Sequence, residues 1–212
     1  MSETVLYDYW RSSAAYRVRI VLNLKGVAFR SVAVDLTKAE QSSEAYHALN
    51  PQDLVPTLEI DGHVLTQSLA IIDYLDATRK DPPMVSSDPL RRSRTLAQAL
   101  IVAADIHPVN NLRILNALRS EFGSSEKQIA AWVRQWIGTG FAALEEAAPE
   151  TGLFGGATPD LADVCLVPQM ANAHRFDTDL SAYPRLVRID AEMRALDPVA
   201  RAAPEAVKPP RP

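Results

Sequence analysis

The chain is poor in cysteine: Cys165 stands alone among 212 residues, so no internal disulfide can form. Its setting, Ala162-Asp163-Val164-Cys165-Leu166-Val167, is an apolar helical stretch and predicts a buried, inert thiol. Any thiol chemistry must then come from a small molecule that the protein binds. The sequence also lacks an apolar run of ~18 residues, the length of a helical membrane span. Its start has neither the basic nor the apolar segment of a secretion signal. A cytoplasmic protein with no membrane partner is the expectation. There is no excess of positive charge either. The 22 Lys and Arg face 26 Asp and Glu, for a net charge of −4. That excludes the basic footprint of a nucleic-acid partner. No two histidines have metal-ligand spacing, so no metal is expected.

What is present is ordinary for a globular protein: 47% hydrophobic and 23% charged residues, in a length that suits one large or two modest domains. Val5-Leu6-Tyr7 predicts a first strand and residues 13–25 a helix ended by Gly26. A second strand over 28–34, a short helix over 43–49 and a strand led by Pro56 come next. An Asp61-Gly62 turn, its partner Val64-Leu65 and a helix over 67–77 complete the order βαβαββα. Residues 81–88, within a proline-rich stretch, read as a stiff and solvated linker. It divides the chain into 1–80 and an all-helical 89–212. The helical part shows a long pattern from Leu90 to about Arg119, broken at Pro108, and a helix over 126–147 with Trp132, Trp136, Phe141 and Leu144 as a core stripe. Asp160 and Asp163 have capping-box spacing, a last clear helix covers 184–196, and the prolines from Pro204 onward predict a loose tail.

Three junctions carry chemistry. Arg11-Ser12-Ser13-Ala14-Ala15-Tyr16-Arg17-Val18-Arg19-Ile20 opens a helix directly after a strand. Backbone N–H groups, the helix dipole and two hydroxyls converge there, which favours an anion. A plain serine N-cap is the alternative reading. In Leu54-Val55-Pro56-Thr57 the proline sits at a strand's start, where a cis bond is accessible, and the Val55 backbone is left to pair with an extended ligand. Leu65-Thr66-Gln67-Ser68-Leu69 repeats the strand-to-helix junction, with Gln67 and Ser68 placed to receive a carboxylate.

Together these motifs resemble the glutathione transferases over about residues 4–200, and the Ser-Ser-x-x-x-Arg-Val-Arg start is similar to the zeta class, whose founding activity is maleylacetoacetate isomerase. The resemblance implies an α/β thioredoxin-like domain followed by an all-α domain, with glutathione as cofactor. It implies Ser12, then Ser13, as donors to the glutathione thiolate. It adds Gln41, Val55, Pro56, Gln67, Ser68, His107, Asn111, Leu112 and Arg113 as glutathione contacts, and Arg11 and Arg175 as the groups that hold a dicarboxylate substrate. A thiol of this kind titrates near ~8.5, and lowering it by ~2 units takes ~2.7 kcal/mol. One or two hydroxyl hydrogen bonds and a helix N-terminus supply that much. The family usually has cysteine where Ala14 stands and often serine at Ala15, so this chain offers fewer side-chain donors. Tyr7 and Tyr9 are rivals because other classes use an N-terminal tyrosine, although Tyr7 reads as core.

The implied reaction is the cis–trans isomerisation of maleylacetoacetate to fumarylacetoacetate, a step of tyrosine breakdown, by thiolate addition, rotation and elimination. It needs no strong general base, and none is evident. A homodimer is implied as well. Maleylpyruvate isomerisation is an alternative, towards which Asp105-Ile106-His107-Pro108 and Asn110-Asn111 lean, although that branch favours arginine where Leu112 stands. General conjugation of α-halo acids or aromatic electrophiles, and a non-catalytic interaction module, are the other readings.

Overall fold

Four short strands form one mixed sheet in the order β2-β1-β3-β4. Strand β1 (Val5–Asp8) runs parallel to β2 (Arg30–Ala33) and antiparallel to β3 (Thr57–Ile60), which pairs with β4 (His63–Thr66). The computed structural model describes residues 3–209. Leu6, Leu58 and Ile60 of the sheet are buried, as are Val18, Ile20 and Leu22 of α1 (Ser13–Leu24) and Ile71, Ile72 and Leu75 of α3 (Ser68–Thr78). Each such side chain contributes roughly 1.5–3 kcal/mol of transfer free energy. Helix α2 (Glu44–Leu49) is capped by Ser43. The β3–β4 hairpin turns on Asp61 and Gly62, both with positive φ, as a two-residue primed turn requires. The order is thus βαβαββα, and Gly26, with φ 64°, follows the C-cap of α1.

The linker is only partly solvated. Lys25, its side chain fully buried, donates Nζ to Asp76 Oδ1 at 3.0 Å and to the carbonyls of Arg79 and Pro82 at 2.6 and 2.8 Å. Asp76 also accepts the Met84 N–H at 2.7 Å, and Met84 is buried. A buried ammonium needs three acceptors, and the linker supplies one of them, the Pro82 carbonyl.

The first unit therefore runs to Met84, and it resumes at Ala195. That corrects the boundary of 89–212. Residues 195–209, with α10 (Asp197–Ala200) and α11 (Pro204–Val207), belong to the sheet-bearing unit. Arg19 Nε donates to the Ala202 carbonyl at 2.9 Å and Asn23 Nδ2 to the Pro198 carbonyl at 2.8 Å. Nor is the tail loose from Pro204: residues 204–207 are helical, whereas its last prolines lie outside the described residues.

The second unit, Val85–Arg194, is helical. Helix α4 (Pro89–Leu100) starts at an Asp88 cap with proline at its first position, and Arg91, Arg92 and Arg94 form an exposed face. The break falls elsewhere than expected. Residues 101–106 form a widened π-turn in which the His107 N–H bonds back to Val102, five residues away. Pro108 lacks an N–H and its ring crowds the carbonyl four residues earlier, so a widened turn ahead of it relieves the conflict. After a short turn α5 (His107–Val109), the chain restarts at an Asn111 cap into α6 (Leu112–Ser120). Helix α7 (Glu126–Ala147) buries Ile129, Val133, Ile137, Phe141 and Leu144. Trp132 and Trp136, expected in that stripe, are only half-buried at its edge and pack edge-to-face. Helix α8 (Leu161–Arg175) opens on the expected capping box, Asp160 and Asp163, and runs through a buried Pro168; α9 is Pro184–Arg194. Cys165 is buried. Among the described residues no helix is long and apolar enough to cross a membrane.

Candidate active site

The loop from Tyr9 to Ser12 turns the end of β1 into α1, closed by a Ser12 N–H bond to the Tyr9 carbonyl at 2.7 Å. Ser12 is the N-cap. Its Oγ accepts from the Ala15 N–H at 3.2 Å and its carbonyl from Tyr16 at 2.9 Å. The plain N-cap reading therefore holds, and the functional reading survives with it. A capping hydroxyl accepts with its lone pairs and keeps its proton, and among the described residues no acceptor takes the Ser12 proton. The Ala14 N–H is likewise without an acceptor there, while Ser13 is buried at the first helical position. A half-buried hydroxyl donor thus stands at the positive end of a 12-residue helix.

Of the two tyrosine rivals, Tyr7 has its donor committed elsewhere. Tyr7 gives its phenolic proton to Glu59 Oε1 at 3.0 Å across β1 and β3, and burial with this bond raises its pKa. Arg11 is half-buried, with its guanidinium carbon 5.3 Å from the Trp10 ring centre.

The second junction is built differently. Gln67 precedes α3 with φ 65° and makes no side-chain cap, so the first N–H groups of an 11-residue helix point outward uncapped. A glutamine in the left-handed region is strained, and the surrounding structure holds it there. Its Nε2 donates to Gln52 Oε1 at 2.7 Å. Ser68 is buried and accepts from Arg17 Nη1 at 3.3 Å, which leaves its own proton available. Val55 precedes a cis bond to Pro56, and no hydrogen bond to the Val55 backbone is formed among the described residues. Gln41 Oε1 is buried with no partner among them.

The structure thus places Arg11, Ser12, Ser13, Gln41, Val55, Pro56, Gln67 and Ser68 in one unit. The remaining candidates lie in the other. His107 is half-buried, Asn111 caps α6 by accepting the Arg113 N–H at 3.1 Å, Leu112 and Arg113 are exposed, and Arg175 is exposed at the end of α8 over the Phe176 ring. Beside them, the side-chain amide of Asn110 is buried with no partner among the described residues, next to the Val109 carbonyl that accepts from Trp132. Residue-type reasoning passed over Arg17 and Gln52. An arginine in the middle of an otherwise apolar helix stripe was the available signal for Arg17.

A family model for the glutathione S-transferase N-terminal domain matches residues 2–77. The chain is 49% identical to the maleylacetoacetate isomerase of Rhizobium meliloti (strain 1021), over 98% of this chain and 99% of that protein. Among solved structures, a holo maleyl pyruvate isomerase, described as a bacterial glutathione S-transferase of the zeta class, is 45% identical with a TM-score of 0.95, covering 98% of this chain and 100% of the other. A maleylacetoacetate isomerase of Methylobacterium extorquens AM1, solved with bound malonate and glutathione, is 38% identical with a TM-score of 0.92, covering 98% and 99%.

Proposed function

The chain belongs to the zeta-class glutathione transferases, the family of maleylacetoacetate isomerase, and on that footing we propose that it is a glutathione-dependent cis–trans isomerase of an unsaturated keto dicarboxylate, converting maleylacetoacetate to fumarylacetoacetate. The observation that carries this is Ser12: a hydroxyl that caps α1 through its lone pairs while its proton is left for an anion. The residues present fit glutathione. An unpaired Val55 backbone beside cis Pro56, an uncapped α3 N-terminus at Gln67 and Ser68, and the orphaned Gln41 oxygen are what an extended, carboxylate-bearing tripeptide requires. When bound, glutathione supplies the sulfur nucleophile whose reversible addition lets the double bond turn.

The protein's part is to hold charge. Ser12 Oγ, seconded by Ser13 and the α1 N-terminus, stabilises the anionic sulfur. Gln67, Ser68 and the first N–H groups of α3 receive the γ-glutamyl carboxylate. Buried Arg17 behind Ser68 adds a positive charge in a setting of low dielectric. For the helical unit the proposal is confined to residue roles: His107, Asn111, Leu112 and Arg113 contact glutathione. Arg175, and separately Arg11 in the first unit, are each assigned to a substrate carboxylate, which a guanidinium holds bidentately.

Maleylpyruvate is the second reading, favoured by the likeness to the holo zeta-class structure and weakened by Leu112. Assays of both substrates side by side, with and without glutathione, decide between them. Turnover of neither, with intact glutathione binding, would overturn the isomerase reading. Two further features are proposed. One is a homodimer, supported by the shallow, largely apolar patch on α4 lined by Pro89, Leu96, Ala97 and Leu100 with Arg92 and Ser93, and by Leu90, 60% exposed on the same helix; a single 23.3 kDa species on sedimentation would refute it. The other is work in the cytoplasm within tyrosine breakdown, where the thiol cofactor stays reduced.

A further inference from the structure

Arg19 is the one charged side chain of α1 buried against the strand end that feeds the Ser12 loop, with about 1% of its surface exposed. Four of its five N–H donors are spoken for. Nη1 gives both to the Asp8 carboxylate, at 2.7 Å to each oxygen, and Nη2 gives to the Trp10 carbonyl at 3.2 Å. Nε gives to the Ala202 carbonyl at 2.9 Å. The guanidinium also lies 5.2 Å from the Tyr16 ring centre. Three separate pieces of chain meet on one planar group: the last residue of β1, the loop residue two before Ser12, and the returning C-terminal segment. The segment touches the same loop a second time, since Lys208 Nζ sits 5.0 Å from the Trp10 ring centre.

We propose that Arg19 is a positioning residue for Ser12, and that the segment from Ala195 to Lys208 serves as a strap which, through Arg19 and Trp10, fixes the loop that aims the Ser12 hydroxyl. The geometry gives the reason. Asp8 alone would satisfy Arg19's charge, but a carboxylate cannot occupy the whole fork of a guanidinium. The remaining donors are spent on backbone carbonyls, one on the loop and one on the strap, so displacement of either leaves a buried N–H unpaired. A loop held in this way keeps the Tyr9–Ser12 turn in register, and a hydrogen-bond donor displaced by even an ångström loses much of its effect on an anion.

The inference rests on the Ser12 reading, and the test separates the two. In Asp8→Leu/Arg19→Met both buried charges disappear together, which such cores often tolerate. The expected result is cooperative unfolding retained and glutathione affinity within about threefold of the parent, because Val55, Gln67 and Ser68 are untouched. The pKa of the bound thiol, followed by ultraviolet absorbance, should rise by about one unit, with kcat lower by about threefold at neutral pH. Arg19→Lys keeps the charge beside Asp8 but surrenders the carbonyl bonds, and it carries the same test should the double variant fail to fold. A folded variant with the parent's thiol pKa and kcat overturns the role of Arg19. A parent protein whose bound thiol titrates like free glutathione overturns the Ser12 reading itself. Placing Arg19→Lys on a Ser12→Ala background checks the coupling: a positioning role adds no further pKa change there, whereas an independent electrostatic role does.

Discussion

Replacing Ser12 by alanine removes two things at once, and their sizes differ enough to be separated. The first is the cap. Ser12 Oγ satisfies the Ala15 N–H at 3.2 Å, and loss of a serine N-cap costs about 1 kcal/mol. For a chain of this length that lowers Tm by about 2–4 °C. The second is the donor to the thiolate. A hydrogen bond to a charged group contributes about 1.5–3 kcal/mol, or about 1–2 pKa units in the bound thiol. If the parent enzyme holds that thiol near ~6.5, the variant's thiol moves to about 7.5–8.5, and at pH 7 the thiolate fraction falls several-fold to more than twentyfold. Turnover should drop by one to three orders of magnitude, the larger figure applying where the same donor also acts in the transition state. The assay is a pair of titrations: thiolate absorbance against pH with glutathione bound, and kcat against pH. A variant with the cap loss in Tm but an unchanged thiol pKa would refute the donor role and leave Ser12 as a cap. An intact Ser12→Ala beside a damaged Ser13→Ala would move the donor by one residue.

Other outcomes follow from the same geometry. Arg175→Ala should raise KM for the dicarboxylate and lower kcat/KM by about ten- to a hundredfold, with a neutral electrophile nearly unaffected; equal losses for both would make Arg175 structural. Tyr7→Phe should leave kcat within about twofold, since its hydroxyl is committed to Glu59, and a large loss would revive the tyrosine mechanism. Asp190 is buried with Oδ1 unpartnered among the described residues, and burial pushes its pKa up to about 6. The folded state therefore binds the proton more tightly than the unfolded chain, so this contribution is present at acid pH and is lost as pH rises through about 6. Asp190→Asn should raise Tm at pH 8 by several degrees and flatten its decline between about pH 4 and 6; an unchanged or lower Tm at pH 8 would contradict this.

The sheet-bearing unit was legible in the sequence because its signals are local. Short strand runs, the Asp61-Gly62 turn, Gly26 past a helix end and serines at helix starts each report on a few neighbouring residues. The Asp160–Asp163 box was legible for the same reason. What escaped was set by distant partners. Arg17 and Arg19 stand out in an apolar helix, but their partners Ser68, Asp8 and Ala202 are brought to them only by the fold. The C-terminal residues show no long apolar period: Val199 and Ala202 are buried, and the carbonyls of Pro198 and Ala202 make the hydrogen bonds to α1. At Pro108 composition correctly indicated a conflict but not its resolution, since a widened turn upstream of the proline leaves no mark in residue type. Among the site residues, the Ser12 and Ser68 junctions could be located from helix starts, whereas the left-handed backbone of Gln67 could not be inferred from a glutamine.

The return of the chain to its first unit also orders events during synthesis. Helix α1 leaves the ribosome early, yet the acceptors for Arg19 Nε and Asn23 Nδ2 lie 183 and 175 residues later. Until those residues emerge, the first-made unit carries buried donors without partners and cannot reach its final stability, however well its sheet has formed. Contacts so distant in sequence slow the last step and expose the unfinished surface in the meantime. The nascent chain therefore waits for residues 198–202 before the buried donors of α1 are satisfied, however early the helix itself has formed.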